Sequence, residues 1–248
     1  MRAVAALTLV LCACSLSSGC GQAPVAPYVR QHADGDGSKP CLAWPKRNLT
    51  YAVDAAGSAR TAGDTEFAAV DAAFSAWNAA AATCSDLAFT KDTASTNLVV
   101  WRERGCTGVV PAGDVCLTDG TCDTKFNCWD DADDTLALTT VTYSRSLGTL
   151  LDADIQLNGA AWLYTTVDSP PCAMGMPAEA CVATDVQNTL THEIGHLLGF
   201  GHTEGKTSTM AAFAPLGDLS KRVIDEGTRE GLCAVYPRGA AAPACSTQ

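Results

Sequence analysis

Three histidines and one glutamate occur within eleven residues in the C-terminal part of the chain. The run from His192 to His202 reads His-Glu-Ile-Gly-His-Leu-Leu-Gly-Phe-Gly-His. Residues four positions apart lie on one face of an α-helix, so His192 and His196 are expected to project in the same direction. Two imidazoles at this spacing are typical zinc ligands, and Glu193 then lies within reach of a water molecule on the same metal. The pattern predicts a catalytic zinc site.

His202 is the third candidate ligand, and it cannot belong to the same helix and still face the metal. The chain must therefore turn sharply between His196 and His202. Gly199 stands where a residue in the left-handed conformation would end the helix, and Gly201 adds backbone freedom. The helical half of this pattern is frequent by chance, whereas the full pattern with the third histidine is rare. The third histidine therefore strengthens the zinc prediction.

Hydrophobic periodicity predicts the elements that must position these side chains. Residues 65–81 have apolar side chains at helical spacing, with Asp64 as a candidate N-cap. A second helix carries the first two histidines, and Thr184 or Asp185 can cap it. β-Rich runs predict strands at residues 49–53, 87–90, 98–101, 136–143 and 150–157. Because there is no internal repeat and no second hydrophobic unit, we expect a single domain.

The stretch from Gly105 to Asp134 has no such periodicity, and we call it the cysteine-rich excursion. It contains four cysteines and several glycines, which predict a loop pinned by disulfides rather than regular secondary structure. It also contains an acidic cluster, Asp130, Asp131, Asp133 and Asp134. Calcium could bind such oxygen ligands, but the spacing differs from an EF-hand loop, and a solvated turn is favoured. The same choice, with solvent favoured, applies to Asp152 and Asp154.

The start of the chain predicts export. Met1 and Arg2 precede an apolar run that is too short to span a bilayer and is typical of a signal peptide. Leu16 to Cys20 resembles a bacterial lipoprotein cleavage site with Cys20 as the lipidated residue, and cleavage after Ala23 is the alternative. We expect residues 1–20 to be the signal segment and residues 21–40 a flexible tether. The protein would be a cell-surface or outer-membrane lipoprotein, or would be secreted.

The cysteine count agrees with an exported protein. Of the 13 cysteines, ten lie beyond the predicted signal segment. An even number predicts five disulfides formed in an oxidising compartment, and Cys172 and Cys181 are close enough in sequence to pair. No cysteine pair has the CxxC spacing of a zinc site. The net charge of −11 argues against nucleic acid or an anionic membrane surface as a partner, so a lipid anchor is the only membrane association that we expect.

The zinc pattern, together with two later features, resembles the matrixin-like enzymes of the metzincin zinc metallopeptidases. Met210 follows His202 by eight residues, which is the spacing typical of the matrixin Met-turn. The segment Gly231–Pro237 is similar to the last matrixin helix. Astacin-like enzymes place a glutamate directly after the third histidine, where this chain has Thr203. The resemblance covers roughly residues 41–237 and is strongest over residues 184–237.

Three departures from the matrixin pattern are visible. Cys41 lacks the arginine and glycine of a thiol-switch motif, so we interpret it as half of a disulfide rather than a zinc switch. The chain has four histidines, and His32 lies in the predicted tether, so the additional structural zinc of animal matrixins is not expected. Gly227 and Thr228 replace the aspartate pair of the last matrixin helix, a departure that concerns the packing of that helix and not the zinc chemistry.

The resemblance implies a fold and a set of residue roles. The fold would be α+β, with three α/β/α-like layers, a twisted mixed sheet, an active-site helix, a zinc cleft and a small C-terminal subdomain ending in a helix. The catalytic domain would comprise residues 41–237 and a tail residues 238–248. His192, His196 and His202 would bind zinc, Glu193 would activate a zinc-held water, and Met210 would form an apolar floor beneath the imidazoles.

The implied activity is that of a zinc-dependent endopeptidase. A protein or peptide substrate would lie extended along residues 136–143, and the chain would act as a monomer without nucleic acid. Two alternatives stay open. One is a surface zinc-binding adhesin or binding module without peptidase activity, which Glu193 and the open fourth metal position disfavour. The other is a zinc hydrolase that acts on something other than peptides.

Overall fold

The computed structural model describes residues 27–177 and 180–245, so the predicted signal segment and Cys20 lie outside the described residues. The strands are β1 (Val29–Arg30), β2 (Asn48–Val53), β3 (Ala88–Lys91), β4 (Leu98–Trp101), β5 (Ala137–Tyr143), β6 (Leu150–Leu157), β7 (Tyr164–Thr165), β8 (Thr184–Asp185) and β9 (Phe200–Gly201). The α-helices are α1 (Thr65–Ala81), α2 (Cys116–Asp119), α3 (Cys122–Phe126), α4 (Val186–Leu197) and α5 (Glu226–Val235).

A five-stranded mixed sheet forms the centre of the structure. Its strand order is β3-β2-β4-β6-β5, and β2, β3, β4 and β6 are parallel to one another. The last strand, β5, is antiparallel to β6 and lies at the edge of the sheet. The predicted strands are confirmed, with ends within one residue, because their alternating apolar side chains fill the core on one face of the sheet. The predicted α+β fold class with a mixed sheet is also confirmed.

Helices α1 and α4 pack against each other and against the sheet. Trp77 of α1 is fully buried, and its indole N–H donates a hydrogen bond to the carbonyl oxygen of Thr191 in α4 (2.9 Å). Helix α1 begins and ends as predicted, but the Asp64 side chain makes no capping hydrogen bond. The aromatic side chains at helical spacing in α1 therefore belong to the core that supports α4.

Residues 27–40, the described part of the predicted flexible tether, are paired with and packed against the rest of the domain. Strand β1 pairs antiparallel with β9, and Tyr28 packs edge-on against Phe200, with ring centroids 6.3 Å apart. Ala33 is fully buried, and His32 forms a β-bridge with Cys41. The prediction failed because a two-residue strand has no periodicity to detect, and its partner is about 170 residues away in the chain. The domain therefore begins before residue 41.

The C-terminal tail is also attached to the domain. Cys245 forms a disulfide with Cys41, and the Arg30 guanidinium donates to the carbonyl oxygen of Pro243 (2.8 Å). Thus both ends of the described chain are joined at one place. The interpretation of Cys41 as half of a disulfide is confirmed.

The described residues contain five disulfides, as the cysteine count predicts. The pairs are Cys41–Cys245, Cys84–Cys233, Cys106–Cys128, Cys116–Cys122 and Cys172–Cys181. Two of them lie within the cysteine-rich excursion, which also contains the short helices α2 and α3 that its composition does not predict. Five disulfides suit an extracellular, oxidising environment. Over the part of the chain that the structure describes, no helix is both long enough and apolar enough to cross a membrane.

Candidate metal centre

Helix α4 begins with a side-chain cap that the sequence predicts. The Asp185 carboxylate accepts a hydrogen bond from the backbone N–H of Asn188 (2.7 Å), which satisfies one of the free donors at the helix start. Asp185 is buried, and the Arg222 guanidinium donates to its Oδ1 (2.8 Å). This ion pair balances the buried charge and ties the start of α4 to the chain that follows the Met-turn.

The end of α4 is held by two buried aromatic residues. The Trp44 indole N–H donates to the carbonyl oxygen of Leu197 (2.8 Å), and the Tyr236 hydroxyl donates to that of Leu198 (2.7 Å). Gly199 follows with φ of +86°, and a Cβ there would lie 2.5 Å from the carbonyl oxygen of Leu42. Only glycine fits both this conformation and this contact, so the predicted helix-ending role of Gly199 is confirmed.

The turn brings the three histidines together. Their Nε2 atoms are 3.1 Å (His192 to His196), 3.1 Å (His196 to His202) and 3.3 Å (His192 to His202) apart. Nitrogen ligands 2.0–2.1 Å from a tetrahedral zinc ion are separated by about 3.3 Å, so three imidazoles in this arrangement fit one zinc ion. The structure therefore brings together the three predicted ligands as a group that could hold a metal.

Hydrogen bonds on the far side of two rings orient their lone pairs toward the metal position. The Nδ1–H of His192 donates to the carbonyl oxygen of Thr209 (2.7 Å), and the Nδ1–H of His196 donates to that of Phe200 (2.8 Å). Nε2 is then the unprotonated nitrogen in both rings. Burial lowers the pKa of His192 well below its usual value, and the neighbouring His196 and Lys221 lower it further. Neutral imidazole, the form that binds zinc, is therefore favoured.

Glu193 is buried beside the triad, with 5% of its surface exposed. The Thr139 hydroxyl donates a hydrogen bond to Glu193 Oε2 (2.7 Å), which connects the carboxylate to the edge strand β5. Burial raises the pKa of Glu193 to about 7, although the hydrogen bond from Thr139 opposes this effect. A carboxyl group with a pKa near neutral can both accept and return a proton at physiological pH. The arrangement suits general acid–base chemistry.

Met210 lies beneath the helix that carries the first two histidines. It is fully buried, and a Cβ on Gly195 would overlap its Sδ atom. The backbone N–H of Thr203 donates to the Met210 carbonyl oxygen (3.0 Å), so the turn is linked to the strand-like segment after His202. Met210 therefore packs directly against Gly195 of α4, and its role as an apolar floor beneath the imidazoles stays a prediction.

A cleft of about 520 Å³ opens in front of the triad. On one side it is bounded by residues 134–139, which include the start of β5, and on the other by residues 212–216. His192, His196, His202 and Glu193 all line it. Because β5 lies at the edge of the sheet, an extended peptide in the cleft can pair with its free backbone groups.

Three residues of this site are not apparent from the sequence. Thr139 contacts Glu193, and Lys221 is buried beneath His192. Asp225 caps α5 through the N–H of Thr228 and also accepts from the N–H of Thr209 (2.6 Å), so it joins the Met-turn to the last helix. Aspartate is a preferred N-cap residue, so its place just before the last helix could have located Asp225. No local pattern marks Thr139 or Lys221.

The cap at Asp225 explains how the last helix packs without the aspartate pair of matrixins. The Thr228 hydroxyl donates to Asp225 Oδ2 (2.6 Å), and Thr228 is fully buried. At Gly227, a Cβ would lie 2.6 Å from the carbonyl oxygen of Pro27. Gly227 therefore leaves room for the N-terminal segment, and Thr228 donates hydrogen bonds to the capping carboxylate of Asp225.

Other groups of candidate metal ligands are less suited to a metal. His32 lies near the sulfur atoms of Cys41 and Cys245, but these two cysteines are joined in a disulfide and present no thiolate. The four aspartates of the acidic cluster are exposed, and the Asp154 carboxylate accepts a hydrogen bond from the Leu98 N–H (2.8 Å). Calcium binding stays a prediction that none of these contacts tests.

A comparison with protein families yields one finding. The family model described as matrixin matches residues 120–237. No curated protein matches the chain. The matched residues include β5, α4, the three histidines, Met210 and α5, and they contain all of the cleft's lining residues. The matched part of the chain is thus the part that forms the candidate metal centre.

Proposed function

Because this chain carries a matrixin-like metzincin domain, we propose that it is a zinc-dependent endopeptidase in which Glu193 is the general base. The matrixin match supports a zinc metallopeptidase in general terms. The observation that most favours the specific activity is the convergence of three Nε2 atoms with a buried carboxylate in an open cleft beside a free sheet edge. A structural zinc site would be closed by a fourth protein ligand.

In this proposal His192, His196 and His202 hold the zinc ion, and Met210 supports their rings from below. Bound zinc supplies Lewis acidity, which polarises the scissile carbonyl and acidifies a water molecule. Glu193 accepts the proton of the attacking water on its carboxylate and delivers it to the nitrogen of the leaving amine. The hydrogen bond from Thr139 restricts the Glu193 side chain to one orientation, so the carboxylate is in place before the substrate arrives.

The substrate in this proposal is an unfolded segment of protein or a peptide. It lies extended along β5, whose outward backbone groups supply hydrogen bonds that do not depend on sequence. Side chains alternate along such a substrate, so some enter the cleft between β5 and residues 212–216 while others face solvent. Specificity then depends on the cleft rather than on the strand pairing.

We propose that the protein acts outside the cytoplasm as a monomer. The five disulfides support an oxidising location, and Cys20 would anchor the protein by a lipid if the signal segment is processed as in lipoproteins. Release by cleavage after Ala23 is the alternative. The acidic net charge of −11 favours neither nucleic acid nor an anionic membrane as a partner.

The test compares the wild-type protein with Glu193→Gln on an unfolded protein substrate, with Glu230→Gln as a matched control. Glu230 is an exposed glutamate on α5, away from the cleft. We expect Glu193→Gln to lower kcat/KM by about 10³-fold or more while zinc content stays at one per chain, because only the proton acceptor is lost. Glu230→Gln should cleave like the wild type.

Metal removal completes the test. A chelator should abolish cleavage by the wild type, and stoichiometric zinc should restore it. A binding module without peptidase activity would retain zinc but would show no cleavage in any arm. Equal cleavage by the wild type and Glu193→Gln would contradict the proposed role of this glutamate.

A further inference from the structure

Lys221 is a buried lysine at the base of the cleft. It lies in the short turn Ser220–Arg222, whose backbone is fixed because the Lys221 N–H donates to the Asn188 side-chain oxygen (2.7 Å). The residue is 5% exposed, and it lines the cleft together with His192 and Asn188. Lysine is rarely buried to this extent unless its ammonium group is paired with an acceptor.

The ammonium group of Lys221 has more N–H donors than there are acceptor atoms around it. Of its three N–H groups, one is directed to the carbonyl oxygen of Ala211. Its Nζ lies 3.5 Å from Nδ1 of His192, but that nitrogen already donates its own proton to Thr209 and has no lone pair to offer. In the described residues, no carboxylate lies within 4.0 Å of this lysine. Lys221 therefore has donors free for an incoming group.

The position of Lys221 indicates which part of a substrate would meet it. In the proposed reaction Glu193 delivers a proton to the leaving amine, so the residue that carries this amine lies on the Glu193 side of the metal. Asn188 and Thr189, one turn before His192 and Glu193 on α4, line the same part of the cleft. The side chain that follows the scissile bond would therefore extend along this turn of α4, toward Lys221.

The walls of this part of the cleft are mainly apolar. Leu136 and Ala137 line the cleft on the β5 side, and Phe213 and Leu216 line it on the opposite side. An aliphatic stem would be buried between these walls, and only its end would reach the ammonium group. A buried cation at the end of an apolar passage is complementary to a short aliphatic chain that ends in a carboxylate.

We propose that Lys221 determines specificity by binding the side-chain carboxylate of an aspartate or glutamate that directly follows the scissile bond. This inference rests on the proposed peptidase function. The carboxylate would accept the two N–H groups of Lys221 that lack partners, and it would neutralise a charge that is otherwise buried. A neutral side chain of the same shape would leave that charge unpaired and would bind less well.

The test uses quenched fluorescent peptides that are amidated at the C-terminus and differ only at the residue after the scissile bond. The residues compared are Glu, Gln, Leu and Lys, and the value measured is kcat/KM with zinc-loaded wild-type protein. We expect the Glu peptide to be cleaved about tenfold or more faster than the Gln peptide. A further peptide ends at this position with a free acid, which distinguishes a terminal carboxylate from a side-chain carboxylate.

Two variants examine the residue itself. Lys221→Met removes the charge but keeps the aliphatic stem, and we expect the ratio of Glu to Gln cleavage to fall to about one or below. Lys221→Arg keeps a cation and should keep a ratio above one. Each ratio is measured within one protein, so a general loss of activity in a variant does not affect it. If Lys221→Met does not fold, the ratio in the wild type still decides the question.

The outcomes separate this inference from the function on which it rests. If the wild type cleaves none of the peptides and Glu193→Gln behaves the same, the peptidase proposal fails. If the wild type cleaves the Leu peptide but does not prefer Glu over Gln, the peptidase proposal stands and the role of Lys221 is overturned. Preference for only the free-acid peptide, or an unchanged ratio in Lys221→Met, also overturns it.

Discussion

The metal-centre region (residues 185–236) and the cysteine-rich excursion (residues 105–134) are held in shape by different interactions. The backbone of the metal-centre region is held by buried side chains, such as Tyr236 and, from earlier in the chain, Trp44, which both donate to carbonyl oxygens at the end of α4. The excursion has a separate small core made of four buried cysteines in two disulfides. The kind of interaction in each region matches how precisely its atoms must be positioned.

The metal-centre region must place individual atoms to within a few tenths of an ångström. Three Nε2 atoms meet only if the end of α4, the turn at Gly199 and the Met-turn are each fixed. The Tyr236 hydroxyl holds the end of α4, the Gln31 N–H donates to the Gly199 carbonyl oxygen, and Asp225 holds the Met-turn. The excursion needs only to stay attached to the sheet. The Trp129 N–H donates to the carbonyl oxygen of Arg104, which follows β4, and the Cys106 N–H donates to the carbonyl oxygen of Trp129. Covalent links restrict the rest. Disulfides limit the path of a chain without specifying where each atom lies.

The largest expected effect on stability comes from removing one disulfide in each region. Cys84–Cys233 joins the end of α1 to α5 and closes a loop with a sequence separation of 149, whereas Cys116–Cys122 closes one of 6. Loop-closure entropy predicts losses of about 5 kcal/mol and about 2 kcal/mol in the free energy of unfolding for the two double alanine variants. Chemical denaturation of both variants measures this difference. Equal losses would show that the burial of the cysteines, rather than loop length, determines their contribution.

The second prediction compares a glycine in each region. At Gly195, an added Cβ would overlap the Sδ atom of Met210, which is fully buried, and would lie 3.3 Å from the Trp77 indole. We expect Gly195→Ala to lower the free energy of unfolding by about 3 kcal/mol and to weaken zinc binding, because Met210 must shift beneath the histidines. Gly108 in the excursion has no atom within 4 Å of the same added carbon, so Gly108→Ala should change stability by less than about 0.5 kcal/mol.

The measurement for both glycine variants is thermal or chemical unfolding together with zinc affinity. If Gly195→Ala matched Gly108→Ala in stability and in zinc affinity, the packing of the floor beneath the triad would be less exact than the contacts indicate. A stability loss with unchanged zinc affinity would assign Met210 to the core alone.

Sequence reasoning succeeds where a residue is placed by its immediate neighbours. Asp185 caps α4 because its own N-terminal turn needs an acceptor, and Gly199 ends the helix because only glycine adopts its conformation without strain. The five sheet strands were predictable for the same reason, since alternation along a strand reflects one buried face. The matrixin pattern then added the third histidine and Met210.

Sequence reasoning fails where the position of a residue is set by distant parts of the chain. Lysine is usually a surface residue, so the sequence gives no sign that Lys221 is buried. Only the packing of its turn against α4 buries it. Thr139 alternates like its neighbours on β5, and its hydroxyl reaches Glu193 only after the strand docks beside the helix. The segment containing β1 looks unstructured because its pairing partner lies beyond Gly199. Such contacts follow from topology, which local patterns do not specify.

The smallest of the three expected effects concerns the cap that joins the Met-turn to α5. Asp225 accepts from the N–H groups of Thr209 and Thr228, and its loss in Asp225→Ala would leave the Thr209 donor without this partner. We expect a loss of about 2 kcal/mol in the free energy of unfolding, against less than about 0.5 kcal/mol for Asp130→Ala, since Asp130 is an exposed aspartate of the excursion.

The effect of Asp225 should also depend on pH. Burial would raise the pKa of Asp225, but the hydrogen bonds from Thr228 and Thr209 outweigh burial and hold the pKa below its usual value. A lowered pKa in the folded state stabilises the protein above the unfolded pKa of about 4, and this stabilisation is lost as pH falls through the folded value. The stability difference between the wild type and Asp225→Ala should therefore be constant near neutral pH and shrink below pH of about 4. If this stability difference instead grew on acidification, the protonated Asp225 would make the stronger contacts in the folded state. The cap would then stabilise the Met-turn through a neutral carboxyl group.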